Sequence, residues 1–316
     1  MKFTPLLLIS FLSLPSMAHE FGVSYADLVE KVRPAVVNVQ TVQGAQNSGS
    51  RDSGPFNFFS RPDSSQREPS STGTGFIISS DGYIVTNRHV IEDTKRVRVR
   101  LDEGDTHEAK VIGIDNSMDL ALLKIEQKGL PFLELGNSDS MRIGDPVVAL
   151  GYPLTLGFSV TTGIVSGIGR NMQMGGNDLA TYLQTDADIT FGNSGGPLID
   201  LTGNVIGINT LIVSRGESYG FAIPSNLFAN SVEQLRNHGR VRRGALGVTV
   251  TELNREAMEY YKLKYGALVS GVSPGMPAQK SGIRVDDVIM SINGNKIRTS
   301  GDVVAAISSK PPGAKV

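Results

Sequence analysis

The chain of 316 residues contains no cysteine, which excludes disulfides, thiolate metal sites and a cysteine nucleophile in one step. Tryptophan is absent as well, and aromatic residues make up only 6% of the chain. No excess charge of either sign is present: 30 Lys+Arg face 31 Asp+Glu, so no global field selects nucleic acid or an anionic membrane. Arg96, Arg98 and Arg100 alternate along one stretch with no aromatics between them, the pattern of a solvated strand face. Long apolar runs are missing too. The longest, Leu6 to Leu14, is too short to span a bilayer and lies between Lys2 and the small-x-small triplet Ser16-Met17-Ala18. This is the pattern of a secretory signal over residues 1–18, cut after Ala18, and without a cysteine at the cut it is not a lipoprotein signal. No cofactor, metal, nucleic acid or stable membrane span is expected, and the mature protein belongs outside the cytoplasm.

What is plentiful is glycine, 36 residues, in a length that accommodates two domains. Ser24 is placed to cap a short helix (Tyr25, Leu28, Val29, Val32) that Pro34 ends, and Val36 to Val42 reads as a strand. Residues 43–72 are rich in Ser, Gly, Asp, Arg and Pro, interrupted by Phe56, Phe58 and Phe59, which need a cover. From Gly73 to Val213 short apolar strands alternate with turns at Asp81-Gly82, Glu103-Gly104 and Thr202-Gly203, the signature of a mainly β sandwich or pair of barrels. A helix with Leu227, Phe228, Val232 and Leu235 on one face follows Pro224-Ser225 and stops at Gly239. Residues 19–238 form the first domain, 239–243 a short basic linker, and 244–316 a second unit.

Within this frame Gly192-Asn193-Ser194-Gly195-Gly196-Pro197 places a serine on a tight bend between apolar runs, where its hydroxyl projects and backbone N–H groups converge. A serine nucleophile needs a base, and the chain has only four histidines. His19 is terminal, His107 lies in an acidic turn, and His238 ends a helix. His89 remains, at the end of the apolar run Tyr83 to Thr86. Asp119, directly before Leu120-Ala121-Leu122-Leu123, is the preferred orienting carboxylate. Asp115 competes, but Asp115-Asn116-Ser117 reads as a wet turn. The order His89, Asp119, Ser194 is that of the chymotrypsin-type double barrel. The G-x-S-x-G elbow of α/β-hydrolases also fits the serine, but that fold requires a following helix, and here a hairpin follows.

Gly82-Tyr83-Ile84-Val85-Thr86-Asn87 running into His89-Val90, Asp119 to Lys124, Gly192 to Leu198, and Val205-Ile206-Gly207-Ile208-Asn209-Thr210 together resemble the HtrA (Deg) serine proteases. The resemblance implies a chymotrypsin-like double β-barrel and an ATP-independent endopeptidase of the periplasm acting on unfolded or damaged polypeptides. It implies homotrimers, often built into larger cages. Residues 43–72 occupy the place of the family's long regulatory loop. The resemblance implies backbone oxyanion donors at Gly192, Asn193 and Ser194, in a loop that ordering of neighbouring segments, here 171–178 and 214–218, switches on. Ile189 falls where the family places an apolar wall of a pocket for small aliphatic side chains. Asp188 departs from the family, at the offset where trypsin-like enzymes hold the acid that reads Lys or Arg. Its alternative is solvent, or a pair with Arg215.

Arg243 to Val248, Ser273 to Ala278, Ser281 to Ile289 and Ile292-Asn293-Gly294 resemble the α+β PDZ domain that follows the protease in this family. Ala245, Leu246, Gly247 and Val248 then match the loop that captures a peptide's C-terminal carboxylate. Asp286 stands where the family usually has glycine. The sequence ends at Val316, before the strands that would complete such a domain, so an incomplete domain with an exposed edge is expected. A reading from another class, a chaperone or stress sensor that binds polypeptide ends with proteolysis secondary, is opposed by the presence of His89, Asp119 and Ser194 together.

Overall fold

The structure is a computed structural model describing residues 24–43, 70–92, 94–153, 157–171, 181–190, 192–214, 218–308 and 310–316. The signal segment, Phe56, Phe58 and Phe59, residues 172–178 and Arg215 lie outside them. The first barrel comprises β1 (Val36–Gln43), β2 (Ser70–Ile77), β3 (Tyr83–Asn87), β4 (Thr94–Arg100), β5 (Thr106–Asp115) and β6 (Leu120–Lys124). The second comprises β7 (Pro146–Gly151), β8 (Ser159–Asn171), β9 (Thr181–Thr185), β10 (Pro197–Ile199), β11 (Val205–Ser214) and β12 (Ser218–Pro224). Both close by antiparallel pairing, in the orders β1-β2-β3-β6-β5-β4 and β7-β8-β9-β12-β11-β10. The second barrel thus repeats the strand order of the first. This is the double-barrel architecture expected of the sequence.

Local sequence explains these strands. β3 and β6 lie at the heart of the first barrel and are buried almost throughout, so they read as unbroken apolar runs. β4 alternates: Val97 and Val99 point inward, while Arg96, Arg98 and Arg100 are exposed, as expected. β12 goes unrecognised in sequence because Gly220 interrupts it and Pro224 closes it. Its glycine has a packing reason, since a Cβ there would lie 2.6 Å from Ile189 Cγ1.

Helix α1 (Ala26–Val32) ends just before Pro34, as expected, with Arg33 as its C-cap. The chain continues as a 3-10 turn over Arg33–Ala35 with the proline in its first turn, where a missing N–H is tolerated. His89 lies in α2 (Arg88–Ile91), two residues beyond the end of β3 and not on the strand itself. α3 (Ser225–His238) buries Phe228, Val232 and Leu235 and stops at Gly239, whose φ of 68° suits a glycine cap, as expected. It packs on β5, β6, β11 and β12 and belongs to the barrels. No helix among the described residues is long and apolar enough to cross a membrane.

The second unit holds β13 (Val248–Glu252), α4 (Arg255–Tyr261), β14 (Ala267–Val272), α5 (Pro277–Lys280), β15 (Val288–Ile289), β16 (Ser291–Ile292), β17 (Asn295–Lys296) and α6 (Ser300–Ser308). Its small core gathers Ala267, Ile292, Ile297, Val303 and Ile307. β13 is the edge of the sheet β13-β14-β15, and α6 touches it. Asp286 has φ 74°, a left-handed conformation that explains the preference for glycine there.

Candidate active site

β3 and β6 pair with Asn87 opposite Leu120, so the residues just beyond these two strand ends must meet. His89 and Asp119 are those residues. Asp119 is itself left-handed, φ 49°, which turns its side chain and carbonyl together toward α2. Its carbonyl accepts the Arg88 N–H and Asn87 Nδ2, both at 2.9 Å. Its carboxylate accepts the His89 N–H at 3.0 Å and lies 2.5 Å from His89 Nδ1. The His89 side chain is 2% exposed and that of Asp119 16%. A carboxylate only accepts, so this contact fixes the ring proton on Nδ1 and leaves Nε2 as the basic nitrogen.

Ser194 comes from the second barrel, in the turn between β9 and β10, and is buried. Gly192 and Gly195 have φ of 101° and 83°. At Gly195 a Cβ would press on Thr86 Oγ1 and approach the Asn87 nitrogen at 3.0 Å, so the turn sits directly against the end of β3. Asn87 Nδ2 also donates to Thr210 Oγ1 at 3.1 Å, joining β3 to β11. Ser194 and His89 therefore face one seam between the barrels.

The turn is fixed from within: Gly196 N–H donates to Asn193 O at 2.9 Å, and Gly195 N–H to Asn209 O at 2.8 Å. Asn193 N–H donates to Thr190 O at 3.1 Å and is spent on the turn itself. Gly192 and Ser194 keep N–H groups with no bond to any described residue. Of the three oxyanion donors expected, the structure leaves those two available.

The remaining pocket candidates separate. Asp188 is exposed, no cation pairs with it among the described residues, and its carbonyl takes Thr161 Oγ1 at 2.8 Å. Ile189 is buried in the core of the second barrel and lies against Gly220. In the second unit, Ala245 to Val248 lead into the open edge of β13. Leu246 O and Gly247 O accept the N–H groups of Ala278 and Ser273, which holds the loop from behind.

Asp115, the rejected rival of Asp119, is not a wet turn residue. Its carboxylate is buried and takes both guanidinium nitrogens of Arg243. His107 is likewise half-buried on β5 and pairs with Val99, instead of lying in a turn. Reading the sequence missed Thr74, whose only signal was its place in Gly73-Thr74-Gly75. Tyr152 was missed too. Burial and the neighbouring Asp102 push its hydroxyl up to about 12.

Two barrels of one strand order, with a partly buried His–Asp pair on one and a serine turn on the other, define a trypsin-like serine peptidase. Residues 73–208 match the model of the trypsin-like peptidase domain, and residues 244–316 that of the PDZ domain. A probable periplasmic serine endoprotease DegP-like protein of Chlamydia muridarum is 40% identical over 96% of this chain and 67% of its own length. Its counterpart in Ectopseudomonas mendocina is 41% identical over 99% of this chain and 71% of its own length. That of Chlamydia trachomatis is 46% identical, with only 51% of its length matched, so the chain spans about half to two thirds of several such relatives. Among solved structures, the HtrA-type protease AlgW with tripeptide superposes with a TM-score of 0.77 at 37% identity, covering 92% of this chain and 90% of that one. The chain belongs to the HtrA family of serine endoproteases.

Proposed function

We propose that the protein is a serine endopeptidase that degrades unfolded or damaged polypeptides in the periplasm without ATP. Ser194 Oγ attacks the scissile carbonyl, His89 Nε2 takes its proton and returns it to the leaving amine, and Asp119 holds the tautomer. The N–H groups of Gly192 and Ser194 receive the developing oxyanion. Ile189 walls a pocket for small aliphatic side chains. The observation that carries this reading is the partly buried His89–Asp119 pair at the seam where Ser194 is presented. Control by loop ordering, assembly as homotrimers and larger cages, and capture of peptide C-termini at Ala245 to Val248 complete the proposal. Support for the last is the unpaired edge of β13 beside α6, which suits strand addition. Residues 1–18 serve as the secretory signal, 43–72 as the regulatory loop, and 239–243 as the linker to the PDZ domain.

The test is cleavage of an unfolded protein by wild type and by Ser194→Ala, which is expected to lower kcat by about a million-fold. Hydrolysis that survives in Ser194→Ala overturns the reading. If the wild type cleaves nothing and both proteins only suppress aggregation, a binding protein is the better description.

A further inference from the structure

Thr74, fully buried on β2 of the first barrel, bonds to the serine turn of the second with two polar atoms, its N–H and its hydroxyl. Its N–H donates to Ser194 O at 3.0 Å. Its hydroxyl donates to Gly192 O at 2.5 Å and accepts the Tyr152 N–H at 2.8 Å. Its carbonyl accepts Thr86 Oγ1 at 2.6 Å, which ties it to the strand leading into His89. Both carbonyls that flank the turn are therefore anchored on one residue of the other barrel.

The geometry points to the Thr74 hydroxyl as the positioning group for the Ser194 N–H, one of the two oxyanion donors, which rests on the proposed role of Ser194. Gly192, at φ 101°, has the backbone freedom to rotate the peptide planes on either side of it. The hydroxyl bond to Gly192 O holds one of those planes, and the Thr74 N–H holds the carbonyl of Ser194. With the planes on both sides fixed, the Asn193–Ser194 peptide between them, which bears the Ser194 N–H, has a single direction, and its carbonyl accepts the Gly196 N–H at 2.9 Å. The hydroxyl can do this because its own proton has one acceptor and its lone pair one donor, so it has no competing orientation. Gly195 and Gly196 let the turn come close enough: a Cβ on Gly195 would press on Thr74 O, and one on Gly196 would lie 3.0 Å from Thr74 Cγ2.

The test compares Thr74→Ser, Thr74→Ala and Thr74→Val in the full chain. Thr74→Ser keeps the oxygen and is expected within about threefold of wild-type kcat. Thr74→Ala and Thr74→Val are expected to lose about 100-fold in kcat, the low end for one oxyanion donor, with KM within about twofold. Inhibition by a peptidyl boronic acid, whose tetrahedral anion needs the same donors, should weaken by the factor lost in kcat. Full kcat in folded Thr74→Ala and Thr74→Val, equal losses in Ser and Ala, or loss of kcat without weaker boronate inhibition each overturns the proposal. So does failure of both hydroxyl-free variants to fold, since the hydroxyl is then a requirement of the fold. Ser194→Ala keeps the two ideas apart: if it still hydrolyses, the nucleophile reading falls, and if it is inert while Thr74→Ala is unimpaired, only the role of Thr74 falls.

Discussion

Arg243 closes its guanidinium on the carboxylate of Asp115, four residues before Asp119 in the chain. The Asp115 side chain is 2% exposed and that of Arg243 13%, and Arg243 Nη2 also donates to Ser231 Oγ of α3 at 3.0 Å. The end of the linker is thereby fastened to the barrel wall beside the loop that carries Asp119. Breaking one side of a buried pair leaves an uncompensated charge. Arg243→Met is expected to destabilise the double barrel by about 3 kcal/mol. Combining it with Asp115→Asn should cost less than the sum of the two, and denaturant unfolding of the four proteins in a double-mutant cycle measures the difference.

Asp119→Asn should leave the barrels folded and lower kcat by about 10,000-fold. The amide no longer dictates that His89 carries its proton on Nδ1. Circular dichroism with single-turnover kinetics separates this outcome from loss of structure.

Exposed Asp188 and buried Ile189 make opposite predictions for specificity. Asp188→Asn should leave the cleavage sites in a denatured substrate unchanged and rates within about twofold. Ile189→Ala should move the preference toward bulkier side chains by about 10-fold, the scale of a few methylenes in a pocket. Mass-spectrometric mapping of products reads both.

Tyr152 is held protonated by burial first and by the negative charge of Asp102 second, which accepts its hydroxyl at 3.4 Å. Its folded value of about 12 lies above the ordinary 10. Below pH 10 the group is protonated folded and unfolded alike, and its contribution is intact. As the pH rises from 10 to 12 the unfolded chain loses the proton and the folded one keeps it, so stability falls. Tyr152→Phe should make the decline of Tm over that range shallower.

The readability of this molecule in its sequence follows the range of the forces involved. His89, Asp119 and Ser194 were legible because few residue types perform their chemistry and each flanks an apolar strand. α3 was legible because one face of it is apolar and Gly239 ends it. Asp115 was misjudged because its partner lies 128 residues away and local context shows only a turn. The diversion of the Asn193 N–H to Thr190 is a backbone event with no side-chain signature. β12 was hidden because Gly220 is explained by Ile189 and Thr185, residues from another part of the barrel.

The two barrels share a strand order, yet on the proposed roles the work is divided unequally between them: one carries the base and its acid, the other the nucleophile. On those roles neither barrel alone is a weak enzyme; it is no enzyme. Hydrolysis here amounts to a report that two separately closed objects are seated in register, and about 1 Å of slippage at their shared face would cost it about 100-fold in rate with every strand still paired. A protein that destroys other proteins gains from such an arrangement a built-in interlock, in which its own misassembly is the condition under which it cannot cut.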